Sequence, residues 1–356
     1  MRLAIVADDL TGALDVSAPF AMRGLRVVVA TAPAATAEAM SSGADVVVVN
    51  TASREGSAHD ARDTVASVAR QLASARPQLA LKKVDSRLKG HVAVEVAAMM
   101  EALGQSRAIV APAVPSQGRI VVDGCVVGNG VAEPISIASL MGDIAFEAPD
   151  TADAAALVEV ARNAPSDMLL AGASGLGAGL AQLLGGEGAP MARGLPGPLL
   201  VAVGSHDPIT LRQVEMALAG ADLNQVVSRD GTLGEMRDGP ALVQAIVPGG
   251  GGFAVAMARF GSSIAGLLRA GGFRTVLLTG GETAQSVLGE LGINCLEVLG
   301  DVLPGIPVTR ALVGDRALTI LTKSGGFGTP QDILRLAAIS QVTTPVTDYA
   351  FAGEQR

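Results

Sequence analysis

RLAIVADDLTGALD, residues 2–15, decides how this chain is read. RLAIVA (2–7) is a buried strand, two aspartates end it, and a helix is expected from about Thr11 to Arg23. A strand without polar alternation that feeds at once into a helix opens an α/β unit. The pattern repeats. RVVVA (26–30) and DVVVVN (45–50) are β-branched runs bounded by turn residues, Ala58–Ser74 is an amphipathic helix, and LALKK (79–83) is a short strand. RAIVAPA (107–113), MLLAGASGLGAGLAQLL (168–184), LLVAVGS (199–205), GFRTVLLTGGET (272–283) and ALTILTKSGGFG (317–328) continue it. Such alternation predicts the α/β class, with mainly parallel sheets flanked by helices.

The length of 356 residues is too great for one ordinary core and predicts two domains. The Gly/Pro-rich stretch GGEGAPMARGLPGP (185–198) reads as the linker, which places the domains at 1–190 and 199–356. VPGGGGFAV (247–255) reads as a connecting turn. Apolar residues make up 49% and charged residues 17%, a globular balance, and with no Trp, one Tyr and seven Phe the core must be aliphatic. The net charge of −8, without a basic stripe or aromatic ladder, argues against nucleic-acid binding. Cys125 and Cys295 read as small buried apolar residues, and His59, His91 and His206 form no metal-binding pattern. The N-terminal apolar run is too short for a signal peptide and no 18-residue apolar stretch exists, so the expectation is a cytoplasmic protein without membrane spans. The glycines after Ser174 are spaced GxGxG rather than GxGxxG and read as close helix–sheet packing, which disfavours a dinucleotide-dependent dehydrogenase.

In parallel sheets ligands bind beyond the carboxyl ends of the strands. Asp8-Asp9, TASR (51–54), KVDSR (83–87) and PSQGR (115–119) each follow an apolar run, so four polar clusters project onto one rim. Only four lysines occur among 26 basic residues, and Lys82, Lys83 and Lys89 fall in one ten-residue segment. Such local positive charge in an acidic chain suits an anionic ligand. Arg54, Lys83, Ser86, Lys89 and Arg119 are candidates to grip a carboxylate or phosphate. Asp8, Asp9 and Asp85 are candidates to hold a sugar hydroxyl, accept its proton or hold Mg²⁺ through water, with Asp9 also a candidate helix cap. In the second half VGS (203–205), GGET (280–283) and KSGGFG (323–328) are glycine-containing strand ends. Glycine lets backbone N–H groups approach phosphate oxygens, and a following helix N-terminus favours negative charge. Lys323, the fourth lysine, lies beside that rim. There is no GxxxxGK[ST] loop, protein-kinase motif set, DxDxT or GxSxG in the chain.

ADDLTGALD (7–15), SR (53–54), KVDSRLKG (83–90), PAVPSQGR with DG (112–124), GS (204–205), GGET (280–283) and KSGGFG (323–328) together resemble the four-carbon acid sugar kinases, in order and over nearly the whole chain. The family commonly has Arg-Gly-Asn where this chain has Lys89-Gly90-His91, and small residues where it has His206-Asp207. The resemblance implies an acid-sugar-binding N-terminal domain and a nucleotide-binding C-terminal domain, with the active site in the cleft between them. It implies acid-sugar contacts from Asp9, Arg54 and Lys83-Val84-Asp85-Ser86, and ATP contacts from Ser205, Gly280, Gly281, Glu282, Thr283 and Gly325. Lys89 and Arg119 join the first set, Lys323 and Gly328 the second. The expected reaction is ATP- and Mg²⁺-dependent phosphorylation of the terminal hydroxyl of threonate, erythronate or 3-oxo-tetronate. Asp85 is preferred to Asp9 as general base because two adjoining lysines would keep it ionised. Lysines 82, 83 and 89 would compensate the acid sugar, and Lys323 would serve the nucleotide. A non-catalytic sensor of the same fold is the alternative, and a homodimer is kept open as the assembly.

Overall fold

The computed structural model describes residues 1–187, 194–247 and 252–341. Part of the expected linker (188–193) and the glycine run of the expected connecting turn (248–251) lie outside the described residues. The chain divides into two compact units, Met1–Met191 with Gly292–Ala311, and Ala192–Leu291 with Leu312–Arg356.

The strands of the first unit up to its midpoint are β1 (Leu3–Ala7), β2 (Val27–Ala30), β3 (Val46–Asn50), β4 (Leu79–Lys83), β5 (Arg107–Ala111), β6 (Arg119–Val122), β7 (Cys125–Gly128), β8 (Ile135–Ser136), β9 (Phe146–Glu147) and β10 (Met168–Gly172). Its helices are α1 (Leu10–Ala21), α2 (Thr36–Ser41), α3 (Ala58–Ser74), α4 (Val92–Leu103), α5 (Ile137–Met141), α6 (Ala154–Asn163) and α7 (Ser174–Leu184). The second unit contributes β11 (Leu199–Val203), β12 (Asn224–Ser228), β13 (Ala241–Ala245) and β14 (Thr275–Thr279), with α8 (Pro208–Gly220), α9 (Phe253–Ala270) and α10 (Gly281–Leu291). The chain then runs through β15 (Cys295–Leu303), β16 (Ile306–Val313), β17 (Arg316–Lys323) and α11 (Asp332–Gln341).

In the first unit the strands run in the order β15-β2-β3-β1-β4-β10-β5-β9, parallel from β2 to β9. β1, β2, β3 and β10 are buried at every residue because helices cover both faces, hence their unbroken apolar sequence. Ala7 lies opposite Asn50 and Lys83, and Gly172 opposite Lys83 and Ala111. Their carboxyl ends are therefore level, and the residues after them share one rim. The glycines of α7 are closely packed, but chiefly against neighbouring helices rather than against the sheet as expected. A Cβ on Gly177 would lie 2.5 Å from Val16 Cγ2 in α1, and one on Gly179 3.0 Å from the Leu157 carbonyl in α6.

The second unit's sheet has the order β12-β13-β11-β14-β17, all parallel. Thr279 lies opposite Val203 and Lys323, so this sheet too has a level carboxyl rim. One stretch departs from the sequence division at residue 199: Gly292–Ala311 groups with the first unit. β15 pairs antiparallel with β2, and Thr31 donates to the carbonyls of Ile293 and Asn294 at 2.9 and 3.1 Å. The sequence pattern assigned no strand to Cys295–Leu303, and local pattern cannot name the partner of such a strand. Cys125 and Cys295 are free and only half-buried, not core residues as expected, and burial beside Glu38 pushes the Cys295 thiol up to about 12. No helix among the described residues is long and apolar enough to cross a membrane.

Candidate active site

The rim of the first unit is organised by Arg54, delivered by the loop after β3. Its Nε donates to Asp8 Oδ2 at 2.7 Å, and Nη2 donates to Asp8 Oδ1 at 2.8 Å and Asp9 Oδ1 at 2.7 Å. The remaining arm, Nη1, lies 3.9 Å from Asp85 Oδ2 in the loop after β4. One guanidinium thus joins the ends of three strands. Burial alone would raise the Asp8 carboxyl, but the Arg54 hydrogen bond and the charges of Lys82, Arg54 and Lys83 hold it below its ordinary value. Burial works against the Arg54 charge, yet the Asp8 hydrogen bond and the charges of Asp9, Asp8 and Asp85 hold its pKa above the usual arginine value.

Asp9 caps α1, its Oδ1 accepting from Gly12 N at 3.2 Å and its Oδ2 from Thr11 Oγ1 at 2.5 Å. Both oxygens are engaged, so its position is structural as well as central. A Cβ on Gly12 would lie 2.8 Å from Lys83 Nζ. Glycine there leaves room for the Lys83 ammonium to lie against the first turn of α1, where it donates to the Val84 carbonyl at 2.9 Å. Val84 itself points into the core, leaving its backbone at the rim. Asp85 Oδ1 accepts from the backbone N–H of Arg87 at 2.8 Å and of Lys89 at 3.5 Å, and Ser86 is half-buried in the same loop.

Lys82 does not belong to this set, contrary to the expectation that it offsets an acid sugar. Its ammonium lies 2.9 Å from Glu95 Oε2 on α4 and also donates to the carbonyl of Lys83 at 2.9 Å, with both Lys82 and Glu95 sealed from solvent. Consecutive strand residues point to opposite faces, so only one of the two lysines can face α1. The cation found beside Asp85 is therefore Arg54, not a pair of flanking lysines. Glu95 was legible in retrospect as a lone carboxylate within VAVEVAAMM (92–100), which in an apolar helix needs a partner. Lys89 has an exposed side chain.

Arg119, at the start of β6, donates to the Asn129 carbonyl at 3.2 Å and to Gln117, while its buried Nε has no partner. Burial and the like charge of Arg87 lower its pKa, against the opposing pull of Asp85 and Asp15. Asp15, on α1, went unremarked in the sequence. Its carboxyl is raised by burial and by Asp9, against the charge of Lys83, a hydrogen bond from Ser174 and the charge of Arg119. Asp301 on β15 interacts with Asp15 in turn, and burial pushes it up to about 7. Among the described residues no group of three His, Cys, Asp or Glu side chains could hold a metal ion. Asp8, Asp9 and Asp85 instead surround a guanidinium.

The second unit's rim is built of glycine contacts. A Cβ on Gly204 would collide with the Thr283 hydroxyl, one on Gly325 with the Ser205 hydroxyl, and one on Gly326 would lie 3.0 Å from Asp207 Oδ2. The loops after β11, β14 and β17 therefore approach as closely as backbone permits. Gly280, with φ +91, turns the chain so that α10 begins at Gly281, with Glu282 exposed in its first turn and Thr283 buried. The free N–H groups of that turn face the rim.

Lys323 is turned inward rather than toward the rim opening. Its ammonium donates to the carbonyls of Ser324, Gly325 and Phe327 at 2.8, 3.2 and 3.0 Å and to Thr210 Oγ1 at 3.1 Å. Burial lowers its pKa to about 8, with Asp207 and Asp332 opposing. Lys323 thus shapes the glycine loop from beneath, and Thr210 and Gln213 complete that support by donating to the carbonyls of Gly325 and Phe327 at 2.7 and 3.1 Å. Gly328, φ +95, lies at the loop's far end, where a Cβ would collide with Asp332.

Residues 3–141 match the model of a sugar-binding N-terminal domain, and residues 248–333 that of a nucleotide-binding C-terminal domain. A D-threonate kinase of Cupriavidus necator is 30% identical, the alignment covering 92% of this chain and 95% of that protein. A D-threonate kinase of Bordetella bronchiseptica is 31% identical, with 94% and 96% covered. A 3-oxo-tetronate kinase of Brucella melitensis biotype 1 is 26% identical, with 92% and 93% covered. The crystal structure of Haemophilus influenzae protein HI1011, of the DUF1537 family, shares the fold with a TM-score of 0.73 at 21% identity, covering 94% of this chain and 99% of that one.

Proposed function

This chain belongs to the four-carbon acid sugar kinase family, and from that premise we propose that it transfers the γ-phosphoryl group of Mg·ATP to the terminal hydroxyl of a four-carbon acid such as threonate, erythronate or 3-oxo-tetronate. The observation that carries this reading is the Arg54 fork. Two of its nitrogens are committed to Asp8 and Asp9, while Nη1 has only the longer approach to Asp85 and stays available to an anionic substrate.

In this reading the first unit holds the acid sugar and the second the nucleotide. Arg54 Nη1 and Lys83 bind the substrate carboxylate, with Ser86 and the backbone of Val84 on its hydroxyls. Lys89 and Arg119 add positive charge at the edge. Asp85 is the general base. Its Oδ1 is held by two backbone N–H groups, and Oδ2 is the freer oxygen, whereas both oxygens of Asp9 are already engaged. The hydroxyl proton passes to Asp85, the hydroxyl oxygen bonds to the γ-phosphorus, and the bond from that phosphorus to the bridging oxygen breaks to release ADP. Ser205, Gly280 to Thr283, Gly325 and Gly328 line the triphosphate seat, with the N-terminus of α10 facing the phosphates. Mg²⁺ enters with ATP as part of that substrate, its charge shared among phosphate oxygens and water.

A coupled ADP-release assay across D- and L-threonate, erythronate and 3-oxo-tetronate, with an NAD(H) absorbance control, tests the proposal. ADP release that depends on one of these acids is the expected result. A ligand-dependent rise in melting temperature without ATP turnover would identify a sensor instead, and acid-dependent NAD(H) absorbance changes would identify a dehydrogenase.

A further inference from the structure

His206 and Phe253 form a ring pair for which phosphate binding has no use. Their centroids lie 5.9 Å apart with the planes tilted by 54°, an open corner rather than a closed stack. His206 is exposed and Phe253 only half-buried, whereas Phe260 on the same helix is fully buried. His206 directly follows Ser205 at the end of β11, and Phe253 opens α9. Met257, one turn further along α9, reaches the same strand end, since a Cβ on Gly204 would lie 3.0 Å from its Cε. Ile246, just after β13, is 40% exposed. β13 neighbours β11 on the side away from β14.

An open aromatic corner beside a phosphate rim has the chemistry of a nucleobase platform. His206 is the residue after Ser205, and β11 neighbours β14 directly, so the ring pair borders the seat proposed for the phosphates. We infer that the His206–Phe253 corner, backed by Met257, stacks the base of the nucleoside triphosphate whose phosphates face the N-terminus of α10. This inference rests on the nucleotide seat proposed above and adds the residues that hold its base.

Titration calorimetry of the full chain with Mg·ATP and, separately, with magnesium tripolyphosphate tests it. His206→Ala and Phe253→Ala should each weaken ATP by about tenfold or more, leave tripolyphosphate affinity unchanged, and Phe253→Trp should restore ATP binding. Saturation-transfer NMR on the wild type should mark the base protons most strongly. Unchanged ATP affinity in both alanine variants overturns the platform while leaving the kinase reading intact. An equal loss of ATP and tripolyphosphate also overturns it, because the rings would then only shape the phosphate loop. Wild-type protein that binds neither ligand overturns the nucleotide seat itself, and the platform with it.

Discussion

Lys82 and Lys83 are adjacent in β4 yet serve opposite sides of the sheet. Lys82 Nζ lies 2.9 Å from Glu95 Oε2 in the interior, while Lys83 Nζ lies against the first turn of α1 at Gly12. The two lysines should therefore fail differently when replaced. Lys82→Met leaves a buried carboxylate without its cation and is expected to cost about 3–5 kcal/mol of stability, much of it recovered by adding Glu95→Leu. Lys83→Met removes one of several charges that hold Asp8 ionised, so it should cost clearly less stability than Lys82→Met while strongly weakening acid-sugar binding. Chemical denaturation and calorimetry on both variants check the contrast; equal stability losses would refute it.

Asp85→Asn keeps the shape of the loop after β4 but removes the proton acceptor. Turnover is expected to fall by about 10²–10⁴-fold, with nucleotide affinity nearly unchanged. Steady-state ADP release and ATP titration on the same preparation test this. A loss of ATP binding would count against the assignment of the two units.

With phosphates seated over its loop, Lys323 should couple nucleotide binding to pH. Its pKa of about 8 lies below the ordinary 10.5. Between those values the unfolded chain retains a proton that the folded protein has released, so this group makes stability rise with pH across that window. Below pH 8 the cost of burying the charge is present in full. Phosphates placed over the loop would favour the ammonium. ATP binding at pH 8 should therefore take up part of a proton, and at pH 6 almost none. Calorimetry in buffers of different ionisation enthalpy measures that uptake.

Asp301 has the complementary sign for a carboxyl. Burial raises it from 3.8 to about 7, with Asp15 adding to the rise and a backbone hydrogen bond from Gly305 opposing it. Across that interval the folded state holds a proton that the unfolded chain has lost, so stability falls as pH rises and the penalty is complete above about pH 7. Asp301→Asn should gain up to about 4 kcal/mol at pH 8 and almost nothing at pH 4. Urea midpoints at the two pH values decide it.

Much of the architecture is local and was open to reading. α3 runs over Ala58–Ser74 and β4 over Leu79–Lys83, the bounds expected from pattern alone. An amphipathic period is interpretable without knowing what covers it, and the Ser57 cap marks where α3 begins. The glycine strand ends and the polar clusters after β1, β3 and β4 were legible for the same reason: strand polarity in an α/β unit tells which end gathers ligand-facing loops.

What the sequence by itself determined, then, is the α/β alternation, several of its strands and helices, and which loops follow the carboxyl ends of those strands, because these depend on the spacing of neighbours along the chain. The tertiary structure decided which lysine faces the site, that Lys323 supports its loop from beneath, that Gly292–Ala311 joins the first unit, and that Asp15 and Asp301 meet. Each involves a group beyond the immediate neighbours, Glu95 for Lys82, Thr210 for Lys323 and β2 for β15. Alternation along a strand assigns neighbours to opposite faces, but only the helices packed on those faces determine what each side chain meets.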